Sequence, residues 1–187
     1  MKEIDKMRAG LEYCYDDEEV SLMKLTAVEN SKLYDSIDNS DLDKQHEVLC
    51  EILGSVGEHV WIAKHFCFDN GKNIFIGNNF TGNFNLTILD IKEVYIGDNV
   101  MIGPNTTITT VGHPISPKGR REHMAQASEI RIGNDVWLGA NVTVLPGVTI
   151  GNNVIIGAGA VVNRDIPDNS LAVGVPARVI KEIENDL

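Results

Sequence analysis

Between Ile132 and Pro167 the apolar positions of this chain fall on a six-residue grid, "IGNDVW LGANVT VLPGVT IGNNVI IGAGAV VNRDIP". The first position is Ile132, Leu138, Val144, Ile150, Ile156 and Val162; the fifth is Val136, Val142, Val148, Val154, Ala160 and Ile166. A period of six matches neither the 3.6 of a helix nor the 2 of a long amphipathic strand, and a short fixed period of small, mostly β-branched residues predicts a parallel β-helix. "IGDNVM IGPNTT", starting at Ile96 and Ile102, is an earlier instance, and "NIFIGNNF" around Ile76 a weaker one. Each hexad supplies one short strand and one turn, so three make a triangular coil with first-position side chains pointing to the axis. Gly, Asn and Asp then follow as turn residues that tolerate left-handed backbone angles. Stacked at ~4.8 Å, the repeats predict roughly five or six coils.

The flanks have a different texture. Asp17 to Gly54 shows helical spacing, with Val20, Met23 and Ala27 on one face and Leu33, Tyr34 and Ile37 after them. A second helix is expected from "SDLD", capped by Ser40 and carrying Leu42, Gln45, Leu49, Ile52 and Leu53 up to Gly54. The organisation expected is therefore an N-terminal helical cap over 1–57 and a β-helix over 58–187. The hexads fail from Thr109 to Ser128, and "RVIKEIENDL" reads as a short amphipathic C-terminal helix.

Composition narrows the function. The 187 residues suffice for one core. No apolar run approaches the ~18 residues of a membrane span and "MKEIDKMRAG" is no secretory signal, so the expectation is a cytoplasmic protein without membrane association. Cys14, Cys50 and Cys67 form no CxxC pair, which argues against both a disulfide framework and a thiolate metal site. A net charge of -11 disfavours nucleic acid as a partner.

A narrow β-helix fills its interior with Ile and Val, so chemistry must sit outside it, and a long interruption in a tight repeat is where to look. The insert holds His113, Pro114, Arg120, Arg121, Glu122 and His123. His113 can serve as a general base near neutral pH; it can equally be a turn residue before Pro114. A zinc site is the rival reading, but His113 and His123 are the histidines in or near the repeat and His59 and His65 precede it, which does not suggest three converging ligands. On the residues alone Asn83 can be a turn residue, Arg178 and Lys181 solvated charges, and Asp16 to Glu19 the acidic start of a helix.

"KMRAGLEYCYDDEEV", "ILGSVGEHVWI", "NFNLTILD", "TVGHP", the carboxy-terminal hexads and "AVGVPARVIKEI" resemble, in this order and over nearly the whole chain, the hexapeptide-repeat O-acetyltransferases of the maltose, galactoside and NodL-type subgroup. The resemblance implies a mainly β fold, a left-handed parallel β-helix assembled as a homotrimer with acetyl-CoA between two prisms. It implies transfer of the acetyl group to a hydroxyl of a sugar or glycoside, without a metal. Carried over by motif, His113 is the base and Asn83 the oxyanion donor. Asp17, Asp69 and Asp90 correspond to acceptor-binding positions, and Ala140, Ala158, Asn163, Arg164, Arg178 and Lys181 to cofactor contacts. Departures lie on the acceptor side: the family's "DYGYN" or "SYGSN" is Asp69-Asn70-Gly71-Lys72-Asn73 here, Thr81 stands where the galactoside enzymes have Tyr, and "RREHMAQASE" lacks the usual Glu-Tyr or Glu-Met pair in register. The alternatives to such an enzyme are a γ-carbonic-anhydrase-like metal enzyme and a non-catalytic trimeric scaffold.

Overall fold

A computed structural model describes residues 1–186; Leu187, the end of the expected tail, lies outside the described residues. The N-terminal part comprises α1 (Glu3–Arg8), β1 (Tyr13–Cys14), α2 (Glu18–Ser36) and α3 (Leu42–Ile52). The first coil of a parallel β-helix follows with β2 (Ser55–Val56), β3 (Trp61–Ile62) and β4 (Cys67–Phe68). The second has β5 (Ile74–Ile76), β6 (Thr81–Gly82) and β7 (Thr87–Leu89), the third β8 (Val94–Ile96), β9 (Met101–Ile102) and β10 (Thr107–Thr109). The interruption holds β11 (Val111–Gly112), α4 (Pro117–Arg121) and β12 (Met124–Ala127). Coiling resumes with β13 (Ile130–Ile132), β14 (Val136–Leu138) and β15 (Thr143–Val144), then β16 (Thr149–Ile150), β17 (Val154–Ile156) and β18 (Val161–Val162). A partial sixth coil contains β19 (Ser170–Val173), and β20 (Arg178–Glu182) closes the fold.

The strands stack into three faces: β2-β5-β8-β13-β16 (face 1), β3-β6-β9-β14-β17-β19-β20 (face 2) and β4-β7-β10-β15-β18 (face 3). In-register pairing puts like on like, Ile76 on Ile96, Ile132 and Ile150 along face 1. Every first- and fifth-position residue of the hexads from Ile132 to Ile166 is buried in one continuous core.

The edges show how turn chemistry is divided. Between faces 1 and 2 the left-handed residue of each coil is His59, Asn79, Asn99, Asp135, Asn153 and Asn169, with φ between 51° and 58°. The glycines two residues earlier do another job. A Cβ on Gly97 would lie 2.8 Å from the backbone of Gly133, and one on Gly133 the same distance from Gly151. These glycines are required by close approach of successive coils, not by φ, while Asn and Asp take the left-handed angle and bond coil to coil: Asn79 Nδ2 donates to Asn99 Oδ1 at 3.0 Å and Asn99 Nδ2 to Asp135 Oδ1 at 2.9 Å.

α3 seals the first coil, its Val48, Leu49 and Ile52 joining the prism core. Tyr34 of α2 donates from Oη to the Ile62 carbonyl at 2.7 Å, and burial pushes its hydroxyl up to about 12. α1, unmarked by any periodicity, packs Ile4 and Met7 with Tyr13, Ile91, Ala125 and Ala127 in a separate cluster that ties the N-terminus to the interruption. No described helix is long and apolar enough to cross a membrane.

Two sequence expectations are corrected. The cap of α3 is Asp41, whose carboxylate accepts from Lys44 N–H at 3.0 Å, not Ser40, which folds back onto Asp38. The C-terminal tail is a strand, not a helix: β20 pairs antiparallel with β19, setting Leu171 opposite Lys181 and Val173 opposite Arg178. An edge strand offers unpaired backbone groups, and a short helix has nothing comparable to bond; β-branched Val179 and Ile180 favour the same outcome.

Candidate active site

The interruption is not a loose loop. β12 runs antiparallel between β11 and β1, with Tyr13 opposite Ala125, Cys14 opposite Met124 and Gly112 opposite Gln126. This three-stranded patch fixes His113 at the exit of β11. His113 Nδ1 lies 3.1 Å from the Met124 carbonyl oxygen. A carbonyl only accepts, so the neutral ring carries its proton on Nδ1 and keeps the lone pair on Nε2. Tyr15 sets its ring edge-on to His113, 5.3 Å between centroids and 77° between planes. On its other side Tyr15 stacks at 5.3 Å and 21° on His123, whose Nδ1 is 3.0 Å from Asp16 Oδ2. His113 opens on a cavity of about 290 Å³ shared with Glu12, Pro114, Gln126, Ser128 and Pro146. Tyr15, Glu12 and the Met124 carbonyl were not singled out from the sequence; a carbonyl's role leaves no mark on residue identity, and Tyr15 sits in what reads as a charged helix start.

The remaining site residues divide between two edges of face 3. Along the edge between faces 3 and 1 lie Asp69, Asp90, His113 and, at the fifth coil, Asn163 and Arg164. Along the edge between faces 2 and 3 lie Asn83, Ala140 and Ala158, with exposed Arg178 and Lys181 on β20. The stacking along this second edge is close, since a Cβ on Gly103 would meet Ala140 N at 2.6 Å and one on Gly139 would meet Ala158 N at 2.6 Å. Asn83 is half-buried; its Oδ1 accepts from Phe84 N–H at 2.8 Å, so the amide's NH₂ is the end available to an incoming oxygen. A single chain thus brings His113 and Asn83 to opposite edges of one face and does not bring them together.

The three acidic residues differ. Asp17 caps α2, its Oδ1 accepting from Glu19 N–H at 3.0 Å and Val20 N–H at 3.3 Å. Asp69 lies 3.6 Å from Lys24 Nζ; burial raises its carboxyl above the ordinary range, partly offset by that ammonium. Asp90, expected among the acceptor-binding positions, is enclosed within this chain. It is 0% exposed, with Oδ1 accepting from Asp69 N–H (3.0 Å) and Asn70 N–H (2.9 Å) and Oδ2 from Asn73 N–H (3.3 Å). It shapes the 69–73 turn from inside, and burial pushes its carboxyl up to about 7. Among the described residues no group of three His, Cys, Asp or Glu side chains is placed to hold a metal ion.

A parallel β-helix of hexads with an external, carbonyl-oriented histidine defines a class, the hexapeptide transferases, and the family model described as bacterial transferase hexapeptide (six repeats) matches residues 129–164. Galactoside O-acetyltransferase of Escherichia coli is 47% identical over 146 residues, 78% of this chain and 72% of the relative. The crystal structure of a maltose O-acetyltransferase from Clostridium difficile superposes with a TM-score of 0.95 at 39% identity, covering 99% of both chains. A galactoside acetyltransferase in complex with coenzyme A gives a TM-score of 0.93 at 41% identity, covering 98% of this chain and 92% of that one. The chain belongs to the hexapeptide-repeat O-acetyltransferase family.

Proposed function

We propose that the protein transfers the acetyl group of acetyl-CoA to a hydroxyl of a sugar or glycoside by direct attack, in the cytoplasm. The observation that carries the mechanism is the His113 Nδ1 contact to the Met124 carbonyl, which dedicates Nε2 to accepting a proton. Nε2 takes the acceptor's hydroxyl proton as its oxygen attacks the thioester carbonyl. The Asn83 NH₂ group stabilises the resulting oxyanion. The C–S bond then breaks and the imidazolium returns the proton to the departing sulfur, so the products are the acetyl ester and free CoA.

The two-edge distribution supports assembly from more than one copy. If the edge bearing Asn83 faces the edge bearing His113 on a neighbour, the contact is heterologous, and a triangular prism closes such a contact into a ring of three. In that homotrimer acetyl-CoA lies between prisms, against Ala140 and Ala158 of one and Asn163 and Arg164 of the next, with Arg178 and Lys181 available to its phosphates. Acceptor recognition falls to the Asp69 turn and the N-terminal segment around Asp17. The names of the galactoside and maltose relatives support a sugar acceptor.

The test is CoA release with acetyl-CoA against a panel of sugars and glycosides, with His113→Ala as the variant. General-base catalysis contributes about 10²- to 10⁴-fold, so kcat should fall by that range while acetyl-CoA binding and the trimer survive. Near-normal turnover in the variant would refute the role.

A further inference from the structure

A cavity of about 700 Å³ lies apart from the one at His113. It lies at the N-terminal end of the prism between α3 and the first coil, lined among others by Asp43, Gln45, His46, Glu58, His59 and Trp61. Two features separate it from an accidental gap. His59 keeps the left-handed angle of its edge, φ 56°, but replaces the Asn or Asp found there in every later coil, and contributes a ring to the cavity where the others continue a side-chain ladder. Trp61, 38% exposed, adds an aromatic surface.

The donor and acceptor balance selects the ligand. The lining has carboxylates, imidazoles and an indole, and no Lys or Arg, so it does not suit phosphate or another anion. It suits a ring with an apolar face and several hydroxyl donors. Its position fits as well. Trp61 pairs in register with Thr81, two residues before Asn83. One coil spacing and two residues of rise put the Trp61 and Asn83 backbones about 8 Å apart, with Trp61 on face 2 between Asn83 and the edge that carries Glu58 and His59.

We infer that this cavity is the subsite for a second glycosyl unit of the acceptor, stacked on Trp61 and hydrogen-bonded by Glu58 and His59, while the first unit lies at Asn83 and a neighbour's His113. The inference rests on the sugar acetyltransferase reading above. It also accounts for the loss of an aromatic residue at position 81: the ring platform is Trp61, one coil earlier on the same face.

The experiment compares glucose with maltose and galactose with lactose as acceptors for the intact protein, in wild type, His59→Asn and Trp61→Thr. Both replacements are the residue types that other coils place at these positions, so the coil itself is kept. The expected result is a kcat/KM for each disaccharide at least about tenfold above its monosaccharide, the size of one net hydrogen bond or ring contact. That advantage should vanish in both variants through KM, with monosaccharide turnover unchanged. Equal kcat/KM for mono- and disaccharides in wild type, or an advantage that survives both substitutions, overturns the subsite while leaving the acetyltransferase reading standing. Failure to acetylate any of the four sugars overturns the acceptor reading and the subsite with it.

Discussion

Replacing Tyr15 by Ala removes the ring that stands between His113 and His123. Its two contacts, edge-on to His113 and stacked on His123, have centroid separations of 5.3 Å each. An aromatic pair of this kind contributes about 0.5–1.5 kcal/mol beyond buried area. Only the His113 contact bears on the base, so the barrier should rise by at most that one amount, or about 2- to 13-fold in kcat. This is small beside the loss expected for His113 itself, because the Met124 carbonyl still holds Nδ1. Steady-state kinetics on the best acceptor, with thermal melts in parallel, give the measurement. The fall should appear in kcat with KM for acetyl-CoA unchanged, and Tyr15→Phe, which keeps the ring, should stay within about twofold of wild type by the same contact arithmetic. An unaltered kcat in a folded Tyr15→Ala protein would refute a positioning role, and an equal fall in Tyr15→Phe would move that role from the ring to the hydroxyl.

Two further predictions concern the scaffold. Burial holds the Asp90 carboxyl at about 7 against an ordinary 3.8, so the folded state prefers the protonated form; between those values the unfolded chain has already released its proton, and stability should decline as pH rises from about 4 to about 7 and level off above. Denaturation midpoints across that range should show this slope in wild type and lose it in Asp90→Asn, which retains the acceptor for Asp69 and Asn70; parallel slopes would contradict the assignment. Gly97→Ala puts a Cβ 2.4 Å from Asn134 Oδ1 and 2.8 Å from the Gly133 backbone, so two coils must part, at about 1–3 kcal/mol for overpacking. Gly112→Ala, whose Cβ meets nothing within 4 Å, is the control and should change stability by less than about 0.5 kcal/mol.

The prism was legible because its signal is local: each hexad names its own buried positions, and stacking merely repeats them. What the hexads hid was the division of labour at the edges, where Gly97 and Asn99 look like interchangeable turn residues but answer to the spacing of successive coils and to φ respectively. The errors cluster where a segment's structure is decided by a distant partner. β20 is a strand because β19 ends the sheet beside it, and β1 is a strand because β12, more than a hundred residues on, lies beside it. The partners of Asp90 could not be read from its residue type, since a carboxylate that suits a sugar hydroxyl also suits three backbone amides of a turn. His113 could be named from its loop, but its tautomer could not, because that depends on a carbonyl eleven residues away.

The stacking of coils also makes the molecule a ruler. His113 leaves the prism after the third coil and Asn163 and Arg164 follow the fifth, so two coil spacings, about 10 Å, separate their points of exit along the axis. The length is counted in whole hexad triplets and is held by backbone pairing on all three faces. On the mechanism proposed above, acetyl-CoA is a long, flexible thread and a gauge of this kind would set where its thioester stops. Deleting one triplet between β13 and β18 would then shorten the gauge by about 4.8 Å and carry the acyl carbon past the imidazole. On that mechanism the prism measures the carrier, and the acyl group is left to be chosen at the thioester end.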